Sequence, residues 1–585
     1  MNFFKSFLAA ILALFVFSIL TILFFVALVG SLTAEKPVEV KANSVLHLML
    51  DAQITEMQVD NPLEGLPLPG ADVNNVGLLQ LKQVIAHAKT DDDIKGIYLD
   101  CSYPEAGFAT IEEIRQSLLD FRKSGKWVLA YNQVYSEKAY YLASAADKIY
   151  LNPHGDMEFN GLTIEMAFYK KLFEKLEIKP QIFRVGEFKS AVEPFMLEKM
   201  SAENELQITE LANSMYNHVV ERISESRNIP AEKLHQIADN MEIRDAKMAK
   251  DAGLVDELYY DDEFHANIRE RLGVKEKDDI TFIKYGKYRK SFSTYSKSKN
   301  EIAVIVADGT IMPGENEGQD NIVAGETFVK EIRKARNNEK VKAIVIRINS
   351  PGGEFRASDM MWREIELAKK QKPVIASMSD YAASGGYYMA MGCDTIVAQP
   401  HTITGSIGIF GMMFDMSGFL GNKLGITFDE VRTGNFGEMY TVSRPLTEAE
   451  RNFWQKSLDE HYNTFTSKAA QGRGVSQEEI LKVASGRVWT GTQARERNLV
   501  DVEGGFDDAV KLAAAKVGVA DDYKTRFYPK QKNFIEEFFS EMEEDETRNA
   551  VKEELGEMYI FYQQLKKIKT YQGAQARMPF ELDLQ

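Results

Sequence analysis

From Ser6 to Ala34 the chain carries no charged residue. At about 1.5 Å rise per residue, a helix of that length crosses a bilayer, and the run is far longer than the apolar region of a cleaved leader. A single retained transmembrane anchor is therefore expected within residues 1–34. Lys5 on its N-terminal side favours an N-in orientation, which leaves the rest of the chain extracytoplasmic. Beyond the anchor the pattern changes. Short β-branched runs such as "IAVIV" (302–306), "AIVIRI" (343–348) and "PVIAS" (373–377) predict buried strands. Amphipathic stretches such as "ASDMMWREIELAKKQ" (357–371) predict helices between them. This alternation predicts an α/β fold with sheets covered on both faces.

The pattern also repeats. "IKGIYLD" (94–100) matches "VKAIVIR" (341–347), and "AYYLASAADKIYLNP" (139–153) matches "GYYMAMGCDTIVAQP" (386–400). "KWVLAY" (126–131) matches "KPVIAS" (372–377), "EKLEIKPQIFRVGEFK" (174–189) matches "NKLGITFDEVRTGNFG" (422–437), and "AGLVDEL" (252–258) matches "RNLVDVE" (497–503). The offsets stay between 245 and 248. Two related domains are expected, over 45–290 and 301–520, with a polar linker "SFSTYSKSKN" (291–300) at their junction. Residues 521–585 form an acidic, aromatic tail with helical spacing.

Composition narrows the function. A net charge of −17 and a pI near 5.2 argue against a nucleic-acid partner. Two cysteines, Cys101 and Cys393, permit neither a zinc spacing nor a disulfide framework, and their apolar surroundings predict buried thiols.

The repeat sharpens the candidate chemistry. At an offset of 247, Ser384 of "AASGG" falls on Glu137 of "YSEKA". "NSPGG" (349–353) follows a strand in the second copy, where the first has "CSYPEAG" (101–107) without paired glycines. Conversely, Lys189 of "FRVGEFKSAVEPF" aligns with Gly437. Each copy holds what the other lacks, so a composite site is expected, with Ser384 from one copy and Lys189 from the other. A serine hydroxyl needs a base, and a lysine serves once burial among apolar groups keeps its amine neutral. Phe188, Val192 and Phe195 flank Lys189, and Ser406 of "TITGSIGIF" is a candidate to aim the amine. Gly385 opens a predicted helix, while Gly352 and Gly353 follow a strand. Such amides can face an oxyanion, and glycine lets a carbonyl approach the backbone. A histidine base is the competing arrangement: His401, oriented by Asp380 or Asp394.

Taken together, "RVGEFKSAVEPF", "INSPGG", "AASGGYY" and "TGSIGIFG" resemble the long, two-domain form of the signal peptide peptidase A (protease IV) family. Its members are membrane-anchored bacterial serine proteases of the ClpP/crotonase fold. The resemblance implies Ser384 as nucleophile, Lys189 as general base, Ser406 as the hydroxyl bonded to the amine, and Gly353 and Gly385 as oxyanion amides. It implies no cofactor and no metal. It further implies a bowl-shaped homotetramer on the outer side of the bacterial inner membrane, degrading cleaved signal peptides. Two other functions are compatible with such a fold: a crotonase-like enzyme acting on acyl-CoA, and a non-catalytic membrane scaffold.

Overall fold

The computed structural model describes residues 38–58, 75–293, 297–315, 321–520, 522–528 and 573–578, together with Phe7 and residues 14–17. The expected anchor and the helical spacing of the tail over 529–572 therefore lie outside the described residues, but for Phe7 and 14–17. Among the described residues no helix is long and apolar enough to cross a membrane.

The first copy is built on a parallel sheet. Its strands are β1 (Ser44–Met49), β2 (Ile94–Asp100), β3 (Trp127–Tyr135) and β4 (Lys148–Met157). After β5 (Lys179–Val185), which leaves this sheet, come the short β6 (Glu257–Leu258) and β7 (Phe282–Lys284). The order is β6-β4-β3-β2-β1-β7, every neighbour parallel.

The second copy contributes β8 (Glu301–Asp308), β9 (Thr310–Met312), β10 (Ile322–Ala324), β11 (Val341–Ser350), β12 (Gly352–Glu354), β13 (Val374–Ala383), β14 (Thr395–Ala398), β15 (Ile403–Gly405) and β16 (Ile409–Asp415). Later in the chain come β17 (Val488–Thr490), β18 (Val502–Glu503), β19 (Lys524–Tyr528) and β20 (Gly573–Arg577). Its main sheet contains the path β18-β14-β13-β11-β8-β19, the same order as in the first copy, with β15 and β17 branching from β13.

The β-branched runs form strands because both faces of the sheet are covered. Along β8, Ala303, Ile305 and Ala307 enter one core, while Ile302 and Val304 enter another beneath the helix Phe506–Lys516. The copies also share side-chain devices. Tyr140 donates to the carbonyl of Leu254 at 2.8 Å, and Tyr387 to that of Leu499 at 3.0 Å. The Ile149 amide donates to Asp256 at 2.9 Å, and the Ile396 amide to Asp501 at 2.7 Å.

A third sheet joins the copies, in the order β10-β9-β12-β20-β16-β5. In it β5, from the first copy, runs antiparallel to β16 over Lys179–Val185 against Ile409–Asp415. A buried ion network adds to the junction. Arg347 pairs with Glu56 at 2.8 Å and with Glu113 at 2.7 Å, and Glu113 also meets Lys82.

Candidate active site

Ser384 follows β13 and caps the helix Gly385–Ala390. Its backbone lies at φ 54°, ψ −109°, a conformation that costs a non-glycine residue on the order of 1–3 kcal/mol. The turn is held from both sides: the Ser384 amide donates to the Gly405 carbonyl at 2.8 Å, and the Ser384 carbonyl accepts from the Tyr388 amide at 2.8 Å. Gly385 is the first residue of the helix, so its N–H has no intrahelical acceptor.

Lys189 arrives from the other copy. The antiparallel pairing of β5 with β16 delivers the chain to Gly186, whose φ of +108° turns it toward Ser384. The Phe188 amide donates to the Ser485 carbonyl at 3.0 Å, and Gln207 donates to the Phe188 carbonyl at 3.1 Å. The aliphatic stem runs between two glycines. A Cβ on Gly486 would fall 2.6 Å from the Lys189 Cβ, and one on Gly408 would fall 3.1 Å from its Cδ. Only bare backbone fits on either side.

The amine is wholly buried. Its Nζ lies 3.0 Å from Ser384 Oγ, 2.9 Å from Ser406 Oγ and 3.1 Å from the Ser406 carbonyl oxygen. Burial pushes the Lys189 pKa well below the ordinary lysine value, and among the described residues no carboxylate offsets that push. The structure thus brings Ser384, Lys189 and Ser406 together within one chain.

The glycines gather at the same point. Gly352, at φ +99°, follows Pro351, and a Cβ there would fall 2.7 Å from the Gly385 nitrogen. Gly353 packs against the backbone of Ile311, where a Cβ would meet the Ile311 carbonyl oxygen at 2.0 Å.

The histidine alternative is not assembled. His401 is buried against Tyr141, Phe108 and His218, with its Nε2 3.5 Å from the Tyr141 hydroxyl. Burial and then the nearby His218, Arg222 and Arg115 depress its pKa. Asp380 instead accepts from the Thr110 amide at 3.0 Å and the Thr110 hydroxyl at 2.6 Å. Asp394 accepts from the Val374 amide at 2.8 Å. Both cysteines are buried free thiols.

Sequence reasoning missed the clamp around Lys189 and the strand β20. The repeat held a signal for the clamp: at an offset of 245, Gly486 stands where the first copy has Met241. For β20 the sequence held none.

Comparison with known proteins supplies the family. The profile of peptidase family S49 matches residues 120–275 and 366–520, once in each copy. A chloroplastic serine protease SPPA of Arabidopsis thaliana is 35% identical over 486 residues, covering 82% of this chain and 70% of that protein. Protease 4 of Salmonella typhi is 37% identical over 447 residues, covering 75% and 71%. A solved ClpP1 mutant from Listeria monocytogenes covers 36% of this chain and 95% of its own at 14% identity and a TM-score of 0.24, a likeness too slight to bear on the fold. With both copies matched and these relatives aligned along most of their length, the chain belongs to peptidase family S49 and is a serine peptidase.

Proposed function

We propose that the chain hydrolyses peptide bonds with Ser384 as nucleophile and Lys189 as general base. The observation that carries this reading is the buried contact of 3.0 Å between Lys189 Nζ and Ser384 Oγ. A neutral amine has two N–H donors and one lone pair. The carbonyl and the hydroxyl of Ser406 take the two N–H groups, which turns the lone pair to the hydroxyl of Ser384.

Lys189 takes the proton of Ser384 as Oγ attacks the substrate carbonyl carbon. The amides of Gly353 and Gly385 face the developing oxyanion. As the tetrahedral species collapses, the ammonium returns its proton to the departing nitrogen. Water then repeats the sequence on the ester. The buried cation exists only between the two transfers, when the negative oxyanion is beside it. Ser406 acts by positioning the amine.

Membership in a serine peptidase family favours this reading over a crotonase-like acyl-CoA enzyme or a scaffold. The ClpP/crotonase-like assignment of both copies belongs to the same proposal. So do the substrate and the setting: cleaved signal peptides, met by a homotetramer anchored in the bacterial inner membrane with its body outside. The uncharged run 6–34 supports the anchor. A relative in Enterococcus faecium named a putative signal peptide peptidase SppA, 31% identical over 36% of this chain, supports the substrate.

The test is labelling of the detergent-solubilised chain with a fluorophosphonate, peptide mapping of the adduct, and parallel measurement of peptide cleavage. The adduct is expected on Ser384 and is expected to vanish in Lys189→Ala. Undiminished peptide cleavage by Ser384→Ala overturns the reading.

A further inference from the structure

Lys189 stands at the tip of a three-residue turn. Its backbone lies at φ −77°, ψ 73°, and the Ser190 amide donates across it to the Phe188 carbonyl at 2.8 Å. These are the angles and the hydrogen bond of an inverse γ-turn. One such bond is a weak hold for a side chain that must meet Ser384 Oγ at 3.0 Å. A second grip comes from Gln207, which is buried. Its side-chain nitrogen donates to the Phe188 carbonyl at 3.1 Å and to the Ser190 hydroxyl, the groups immediately before and after Lys189. It also donates to Asn204 Oδ1 at 3.0 Å, so two N–H groups serve three acceptors and one is shared. The amide oxygen of Gln207 faces the other copy and accepts from the Val488 amide of β17 at 3.3 Å. A single side chain thus bridges the turn that carries Lys189 and the strand that follows Gly486.

The network closes on itself. Gln207 and Asn204 lie in the helix Ala202–Arg227, whose cap Ser201 accepts from the Asn204 amide at 3.2 Å. Glu193, four residues beyond Lys189 and fully buried, accepts from Asn204 Nδ2 at 3.0 Å and from the Ser201 hydroxyl at 2.6 Å. The same face of the helix continues along the second copy: Glu210 pairs with Arg487, and Ser214 Oγ lies 2.9 Å from Thr490 Oγ1. Buried amides and carboxylates are costly unless their polar atoms find partners, and here both side-chain polar atoms of Gln207 are engaged.

We propose that Gln207 is a positioning residue for the reaction: it aims the Lys189 side chain by gripping the residues on either side of it and tying them to the second copy. The proposal rests on the reading of Lys189 as the base. Without the grip the γ-turn opens, and the amine leaves its line with Ser384 Oγ and moves toward water. A misplacement near 1 Å costs about 10²-fold in rate. Contact with water also favours the ammonium, so the amine gives up its proton only at higher pH. The effect is on the base and therefore falls on kcat rather than on KM.

Steady-state peptide cleavage across pH by the full chain, with urea unfolding of the same samples, tests this in Gln207→Met and Gln207→Asn. Methionine keeps the length and removes the donors and the acceptor. Asparagine keeps the amide and withdraws it by one methylene. Each variant is expected to lose about 10- to 100-fold in kcat and to keep KM within about twofold. The acid limb of its kcat/KM profile is expected at higher pH than that of wild type. Should Gln207→Met not fold, Gln207→Asn carries the comparison. A lower urea midpoint with the kcat and acid limb of wild type makes Gln207 a purely structural residue and overturns the proposal, as does a rise in KM at unchanged kcat. Lys189→Ala, measured alongside, separates the two readings. If it cleaves as fast as wild type, the base assignment fails and this proposal with it. If it is inactive while the Gln207 variants match wild type, only the role of Gln207 falls.

Discussion

Lys189 Nζ and Ser384 Oγ lie 3.0 Å apart although 195 residues separate them in the chain. Each comes from a different copy of a duplicated α/β unit, and each has lost its counterpart in the other copy, Gly437 for Lys189 and Glu137 for Ser384. The contact depends on the exchange of β5 into the sheet of the second copy. Folding of the two copies and assembly of the site are therefore one event: a second copy folded alone would hold Ser384 without Lys189.

Removal of either group is expected to lower kcat/KM by about 10³-fold or more, with the double variant no worse than the single ones. Groups that act on one proton fail together, so their effects do not add. Steady-state cleavage of a peptide by Lys189→Ala, Ser384→Ala and the double variant checks this. Additive losses would mean that the two side chains act independently.

Burial of Lys189 makes a prediction about stability. The folded chain holds a neutral amine, whereas the unfolded chain binds a proton there up to the ordinary lysine pKa. Through that interval the unfolded state carries one more proton, so this group's contribution to stability rises with pH by about 1.4 kcal/mol per unit. Lys189→Met removes the penalty. The variant is expected to unfold at higher urea than wild type at neutral pH, with the difference shrinking as pH approaches 10.5. Activity has the same origin and falls as acid protonates the amine. Equal pH dependence of the two midpoints would show that Lys189 is charged when folded.

Gly486 tests the clamp. Its φ of +79° and the 2.6 Å approach to Lys189 leave no place for a methyl group. Gly486→Ala is expected to move the lysine stem and to lower kcat by about 10²-fold, since misplacement near 1 Å has that effect. Circular dichroism should remain that of a folded chain. Full activity in a folded Gly486→Ala would mean that the amine's position is not set there.

Much of this was legible in the sequence, for identifiable reasons. The β-branched runs became strands because parallel sheets bury both faces, and the duplication turned missing residues into information. Ser384 and Lys189 could be paired on that basis before any coordinates. The antiparallel pairing of β5 with β16 could not, because it links distant edges and leaves no local mark in either strand. "GAQAR" (573–577) has the composition of a loop, rich in residues that strands avoid, and it is extended here because two edges flank it. His401 follows Pro400 in a polar stretch that resembled a loop. Its burial among Tyr141, Phe108 and His218 is a property of the junction between copies, which neither copy's sequence contains alone.

The ion network beneath that junction yields the last prediction. Burial alone would raise the Glu113 carboxyl, but Arg347 and Lys82 overrule it and hold its pKa at about 2. Glu113→Gln leaves Arg347 and Lys82 with less compensation in a site closed to water. Breaking such a pair from one side costs about 3–5 kcal/mol. The sign with pH follows from the depressed value. The contribution of Glu113 is complete above its unfolded pKa near 4.5 and is lost as pH falls from there toward 2. Urea unfolding of wild type and Glu113→Gln from pH 7 to pH 2 should show a gap that is constant above pH 5 and narrows steadily below it. The two copies are joined through Arg347, Glu56 and Glu113, so Lys189 and Ser384 should part in the same transition. Peptide cleavage by Glu113→Gln is then expected to disappear at lower urea, in step with its unfolding, and loss of cleavage well before unfolding would show that the junction opens on its own.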